Sequence, residues 1–297
     1  MKTSVAFHPT AILCPVDFSE PSDLALKYAA AGARAFDATL VVFHVARFEL
    51  PAYFTSAQSD ALSRQHQAQL KQAKDFLRLH VRKVLGDAAP GVRLQFETAD
   101  AHPLDAILAT AKKRRAGLIV MGTHGRGGAR RVWLGSVTEN VIRQASVPVF
   151  VARQKQHEFI SISDPKAAPG LATVLCPVNF SEASRSALRH ALSLAQQFKA
   201  RLIAPCILEP GDEREVAEVR RELTAWLDET AAGECDAQIL TRTGRAAEQI
   251  VALAAKTQAD LVVMGAQRGR SLRTWISGDT TESVLRHAPA PVLVVPR

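Results

Sequence analysis

Apolar residues follow two alternating patterns along this chain. Short unbroken runs such as Ala11-Ile12-Leu13-Cys14-Pro15-Val16 have the form of strands buried on both faces. Longer stretches between them carry apolar residues at helical spacing, as Leu24, Tyr28, Ala31 and Ala35 do. The pattern predicts strands over 11–16, 39–45, 92–97, 117–121 and 147–151. It predicts helices over 20–36, 60–85, 103–115 and 137–145, the first capped by Ser19. A second series of strands follows near 173–178, 200–207, 237–242, 260–264 and 291–295. Strict strand–helix alternation predicts parallel strands with helices on both faces of the sheet, joined by right-handed crossovers. In such sheets ligands bind at the strands' C-terminal ends, where the strand order reverses.

The two series are copies of one unit. Cys14-Pro15-Val16-Asp17-Phe18-Ser19-Glu20 returns as Cys176-Pro177-Val178-Asn179-Phe180-Ser181-Glu182, changed only at Asp17. Val120-Met121-Gly122 returns as Val263-Met264-Gly265, and Val147-Pro148-Val149-Phe150-Val151 as Ala290-Pro291-Val292-Leu293-Val294. Early motifs are offset by 162 positions and late ones by 143, so the second copy is 19 residues shorter between its second and third strands. A repeat of this length is a whole domain. The reading is a domain over 1–152, a linker over 153–172 with two prolines and no sustained apolar period, and a domain over 173–297.

The remaining bulk properties narrow the class. With 47% hydrophobic residues in 297, each copy is long enough to bury a core. No apolar run reaches the ~20 residues of a membrane helix, and His8 and Pro9 interrupt the N-terminal apolar stretch, which argues against a secretory signal. Cys14, Cys176, Cys206 and Cys235 form no C-x-x-C pair and read as reduced thiols, so a cytoplasmic protein with no membrane partner is expected. The net charge of +8 raises the question of nucleic acid. The densest basic run, Lys112-Lys113-Arg114-Arg115, falls at a helix C-terminus where cations suit the dipole, and it has no interleaved aromatic platform. It reads as a solvated helix end, which argues against nucleic acid.

The candidate chemistry lies after the fourth strand. Gly122-Thr123-His124-Gly125-Arg126-Gly127-Gly128 leads through Arg130-Arg131 to Gly135-Ser136, with the spacing G-x2-G-x9-G-S. Glycines between a buried strand and a helix start let backbone N–H groups face a phosphate chain. Ser136-Val137-Thr138-Glu139 is a capping-box pattern, so a helix N-terminus with anion-binding N–H groups is expected there. Arg126, Arg130 and Arg131 read either as a basic lid or as a solvated loop, and His124 as a possible phosphate donor. Asp17 can orient Mg2+ or a ribose hydroxyl, or accept from the start of its own helix. His44 reads as a satisfied histidine at the core edge.

These motifs, with Pro15-Val16-Asp17-Phe18-Ser19 upstream and Phe43-His44-Val45 closing the second strand, resemble the universal stress protein family. The likeness is to its ATP-binding branch in a tandem two-domain form. It implies an α/β fold of two doubly wound domains, each an open five-stranded parallel sheet of order 3-2-1-4-5. It implies that the fifth strands, 147–151 and 291–295, join the halves as an intramolecular pseudo-dimer or pair in a homodimer. It also implies ATP, with Mg2+, in the first domain: Asp17 at the ribose and phosphate end, Val45 lining the adenine pocket, and Gly122, Gly125, Gly135, Ser136 and Val137 on the phosphates. Pro15, Val16, Ser19, Met121, His124, Arg126 and Thr138 complete the candidate set, with Asp17 as the possible metal ligand.

The second copy departs from this pattern. Asn179 replaces Asp17, Arg268 replaces Gly125 and Asp279 replaces Ser136, while Glu282 keeps the cap pattern. A carboxylate in the anion's place repels a phosphate by about 1–4 kcal/mol at ~4 Å. The second domain therefore reads as a fold kept and a triphosphate site lost. Three function classes stand: a nucleotide-binding stress-response regulator or adaptor, a slow ATPase or adenylate-transferring enzyme, and a ligand-free scaffold with an anionic partner. The chain carries no HxGH and no SGGxDS motif, which favours the first.

Overall fold

A computed structural model describes residues 7–46, 56–86, 91–123, 134–153, 159–160, 170–230, 235–266 and 280–297; of 56–63 and 230 it describes the backbone alone. The first repeat runs β1 (Ala11–Pro15), α1 (Glu20–Ala35), β2 (Thr39–Val45), α2 (Ser56–Leu85), β3 (Arg93–Ala99), α3 (Pro103–Lys113), β4 (Leu118–Gly122), α4 (Ser136–Gln144) and β5 (Val149–Ala152). The second runs β6 (Thr173–Leu175), α5 (Glu182–Phe198), β7 (Arg201–Leu208), α6 (Val216–Thr230), β8 (Ala237–Thr243), α7 (Ala246–Lys256), β9 (Leu261–Ala266), α8 (Thr280–His287) and β10 (Val292–Pro296).

The strands form one sheet of ten, in the order β3-β2-β1-β4-β5-β10-β9-β6-β7-β8. Each repeat contributes five neighbouring strands, and the two sets do not remain separate sheets. The antiparallel pair β5–β10, with Phe150 opposite Leu293, fuses them, while the pairs on either side are parallel. This is the joint the resemblance implies.

Alternation along the strands assigns the layers. Ile12, Cys14, Leu40, Val42, Leu118 and Val120 face α1 and α2, in one packed layer with α5 and α6. Leu13, Val41, Phe43, Ile119 and Met121 face α3 and α4, in a second layer with α7 and α8. Helix α1 is buried beyond the expected stripe: Ala25, Leu26, Ala29, Ala30 and Ala33 are covered as well as Tyr28 and Ala31. Cys14, Cys176 and Cys206 are buried and Cys235 half-buried, all four unbridged. Burial pushes the Cys14 and Cys176 thiols well above their ordinary range. No helix among the described residues is long and apolar enough to cross a membrane.

The linker holds more structure than its composition suggests. Phe159 packs on Tyr28 at 5.0 Å, Ile160 and Leu171 are buried, and Gly170 N–H donates to the Phe159 carbonyl at 2.6 Å. Arg153, just past β5, donates to the Leu285 and Arg286 carbonyls, the last turn of α8. A cation there suits the helix dipole and ties the first repeat to the second.

Candidate functional site

The site is built where β1 and β4, neighbours in the sheet, release the chain into α1 and α4. After β1, Val16 is locked to β2: its N–H donates to the Phe43 carbonyl at 2.8 Å, and its carbonyl accepts from His44 Nδ1 at 2.7 Å. His44 is thus a satisfied histidine at the core edge. Phe18 adopts φ 63°, a conformation that costs a bulky residue about 1–3 kcal/mol. Its ring is held against His44, Phe76 and His80 at 4.4–4.9 Å. The tight turn folds Asp17 back, so that Oδ1 accepts from Ser19 N–H at 3.2 Å and Ser19 Oγ–H at 2.6 Å. Ser19 in turn caps α1 by accepting from Ser22 N–H.

The second repeat repeats this turn atom for atom. Phe180 has φ 61°, and Asn179 Oδ1 accepts from Ser181 N–H at 3.3 Å and Ser181 Oγ–H at 2.7 Å. An amide therefore makes both of these bonds, and the turn alone does not require a carboxylate at Asp17. Elsewhere the two turns differ. His80 Nε2 pairs with Asp23 at 2.6 Å in the first repeat, where Arg185 lies 4.1 Å over Trp226 in the second.

Gly122 has a packing reason that its place in the motif concealed. A Cβ there would lie 2.6 Å from the Pro21 carbonyl oxygen, and one at Gly265 would lie 2.2 Å from that of Ala183. In both repeats the first glycine lets the first turn of the helix after the first strand seat against the end of the fourth strand. Thr138 belongs to the same joint. It is buried and donates to the Gly122 carbonyl at 3.0 Å, as Thr281 does to Gly265 at 3.5 Å. Gly135 N–H donates to the Thr123 carbonyl at 2.6 Å, which brings the start of α4 to the same point. Two helix N-termini thus converge on Gly122, each placing positive partial charge there.

The cap of α4 differs from the expectation. Gly135, not Ser136, is the N-cap, and no side chain caps this end. Ser136 is the first helical residue and is exposed; Glu139 pairs with Arg143 instead of closing a capping box. The reason is the Gly135–Thr123 bond, which fixes the chain one residue earlier. The N–H groups of Ser136, Val137 and Thr138 open the helix, where no earlier carbonyl of the helix can reach them.

The remaining candidates divide. Pro15 and Val45 lie at the C-terminal ends of β1 and β2, on the rim of the site. Met121 is buried against the α3–α4 layer. His124, Gly125, Arg126, Arg130 and Arg131, and in the second repeat Arg268 and Asp279, lie outside the described residues. Lys113 and Arg114, two of the four cations of the basic run, pair with Glu97. Pro21 and Phe18 were the functional neighbours not read from sequence. The sequence carried a partial signal: the first glycine is kept at Gly265 where Arg268 and Asp279 stand in place of Gly125 and Ser136.

Comparison with known proteins accords with this architecture. A family model described as the universal stress protein family matches residues 10–153 and 171–296. Universal stress protein MJ0531 of Methanocaldococcus jannaschii is 34% identical over 152 residues, 50% of this chain and 84% of that protein. A universal stress protein of Mycolicibacterium smegmatis is 27% identical over 296 residues, 96% of each chain. Among solved structures, a universal stress protein from Archaeoglobus fulgidus DSM 4304 covers 97% of this chain and 98% of its own, with TM-score 0.67 at 23% identity.

Proposed function

The chain belongs to the universal stress protein family, and from that premise we propose that it is a nucleotide-binding stress-response regulator or adaptor whose first repeat, 1–152, holds ATP with Mg2+. The observation that carries this reading is the convergence of two helix N-termini on Gly122, beside the Asp17 carboxylate. The residues suit the ligand. N–H groups at the uncapped start of α4 and the exposed Ser136 hydroxyl suit phosphate oxygens. Asp17 supplies oxygen for a ribose hydroxyl or for a Mg2+ water shell. Mg2+ would neutralise phosphate charge when bound. Pro15 and Val45 supply the apolar rim for a base, while Val16 is buried in the core. The second repeat, 173–297, keeps the joint at Gly265 and presents Asn179; its role in this reading is to complete the sheet.

Titration calorimetry with Mg-ATP tests the proposal. One nucleotide per chain is expected, and the double variant Gly125→Arg with Ser136→Asp, which copies the second repeat into the first, should bind none. Two sites per chain, or wild-type affinity in the double variant, overturns it. Steady-state phosphate release separates a regulator from an ATPase: a regulator should show slow hydrolysis at most, and rapid turnover would identify an enzyme.

A further inference from the structure

A hollow of ≈ 60 Å3, open on one side, lies beneath the joint between the repeats. Phe150 of β5 and Leu293 of β10, the pair that fuses the sheet, form part of its floor. The walls bring together Tyr28 and Phe36 of α1, Leu194 and Phe198 of α5, Phe7 of the N-terminal arm and Phe159 of the linker. Five phenylalanines and one tyrosine line it in a chain only 6% aromatic, and among its lining side chains Tyr28 alone carries a polar atom. Protein interiors rarely leave such space, and a void without two or more polar partners is a poor site for water.

A second observation points the same way. Gly32 lies in the last turn but one of α1 and faces the hollow. Glycine inside a helix is destabilising relative to alanine. Here nothing demands it: a Cβ at Gly32 would meet only Ile12 Cδ1, at 3.5 Å, an ordinary contact. At Gly122 and Gly265 glycine is forced by a backbone neighbour, whereas at Gly32 its effect is to leave room.

We propose that this hollow is a binding site for a neutral alkyl chain, entering from the open side and bracing the two repeats, the arm and the linker together. The volume of ≈ 60 Å3 selects against a fused ring system, and the lack of polar side chains in the wall apart from Tyr28 selects against a charged ligand. The site is separate from the one at Gly122 and stands without the nucleotide reading.

The test uses 1-hexanol as probe with the full chain, followed by calorimetry and thermal melting. Wild type should bind one equivalent saturably and melt higher with it. Gly32→Ala should raise the ligand-free Tm by roughly 1–3 °C and weaken hexanol about fourfold, the worth of one methylene of space. Leu194→Ala, which widens the hollow, should lower the ligand-free Tm and extend binding to 1-octanol. Absence of saturable binding to wild type overturns the proposal, as does an affinity that neither variant changes.

Discussion

Asp17→Asn transplants one atom of the second repeat's chemistry into the first. The turn it belongs to should survive, because Asn179 Oδ1 makes the same two bonds, at 3.3 and 2.7 Å, that Asp17 Oδ1 makes at 3.2 and 2.6 Å. What is lost is negative charge near the N-terminus of α1, worth about 0.3–1 kcal/mol to the fold. That corresponds to a fall in Tm of roughly 1–4 °C. The cost to the ligand is larger, since a hydrogen bond to an ionised group contributes about 1.5–3 kcal/mol. Mg-ATP affinity should therefore drop about 10- to 150-fold. Calorimetry for the affinity and a melt without ligand for the fold give both numbers on one preparation. Unchanged affinity would show that the carboxylate serves the turn alone. The reciprocal Asn179→Asp should leave the second repeat without nucleotide, because one carboxylate does not restore the glycine and serine it lacks.

Three further outcomes follow from the packing. Gly122→Ala and Gly265→Ala should both destabilise, by about 1–3 kcal/mol from overpacking, with the larger loss at Gly265, whose added Cβ would sit 2.2 Å from backbone; urea midpoints measure this, and a neutral Gly265→Ala would refute the packing account. Arg153→Lys should cost about 1–3 kcal/mol, because one ammonium does not reproduce the guanidinium's bonds to two carbonyls of α8. Cys14 and Cys176 keep their protons in the fold, so the stability they supply is complete below the ordinary thiol value of ~8.5 and is lost as pH rises beyond it. Urea midpoints should fall above about pH 9, the fall should flatten in Cys14→Ala with Cys176→Ala, and iodoacetamide should modify neither thiol in the native protein.

The strands were legible because a strand buried on both faces leaves an unbroken apolar run, and Ala11–Pro15 and Leu118–Gly122 lie within a residue of where the pattern ends. The joint between β5 and β10 was legible through the family resemblance, which implies that the fifth strands join the halves. Helix ends were less so. Ser136 is the better cap by composition, but the carbonyl of Thr123 competes for the backbone one residue earlier. The docked part of the linker was missed because Phe159 and Ile160 are two apolar residues in a polar stretch, too few to set a period. Their partner Tyr28 is 131 positions away. Gly122 was assigned to the ligand from its motif, and its tight packing against Pro21 appears only once α1 is seated.

The paired repeats also sort the candidate residues. Whatever the fold requires should persist in both copies, and it does so with matching geometry: Phe18 and Phe180 at φ near 60°, Ser19 and Ser181 as caps, Gly122 and Gly265 against a helix turn, Thr138 and Thr281 on the strand end. Three candidate positions change their charge or bulk between copies: Asp17 against Asn179, Gly125 against Arg268, Ser136 against Asp279. In the chain, Asp17 follows β1, and Gly125 and Ser136 follow β4. That makes Asp17 and Ser136 the informative substitutions and Gly122 and Thr138 the controls for folding.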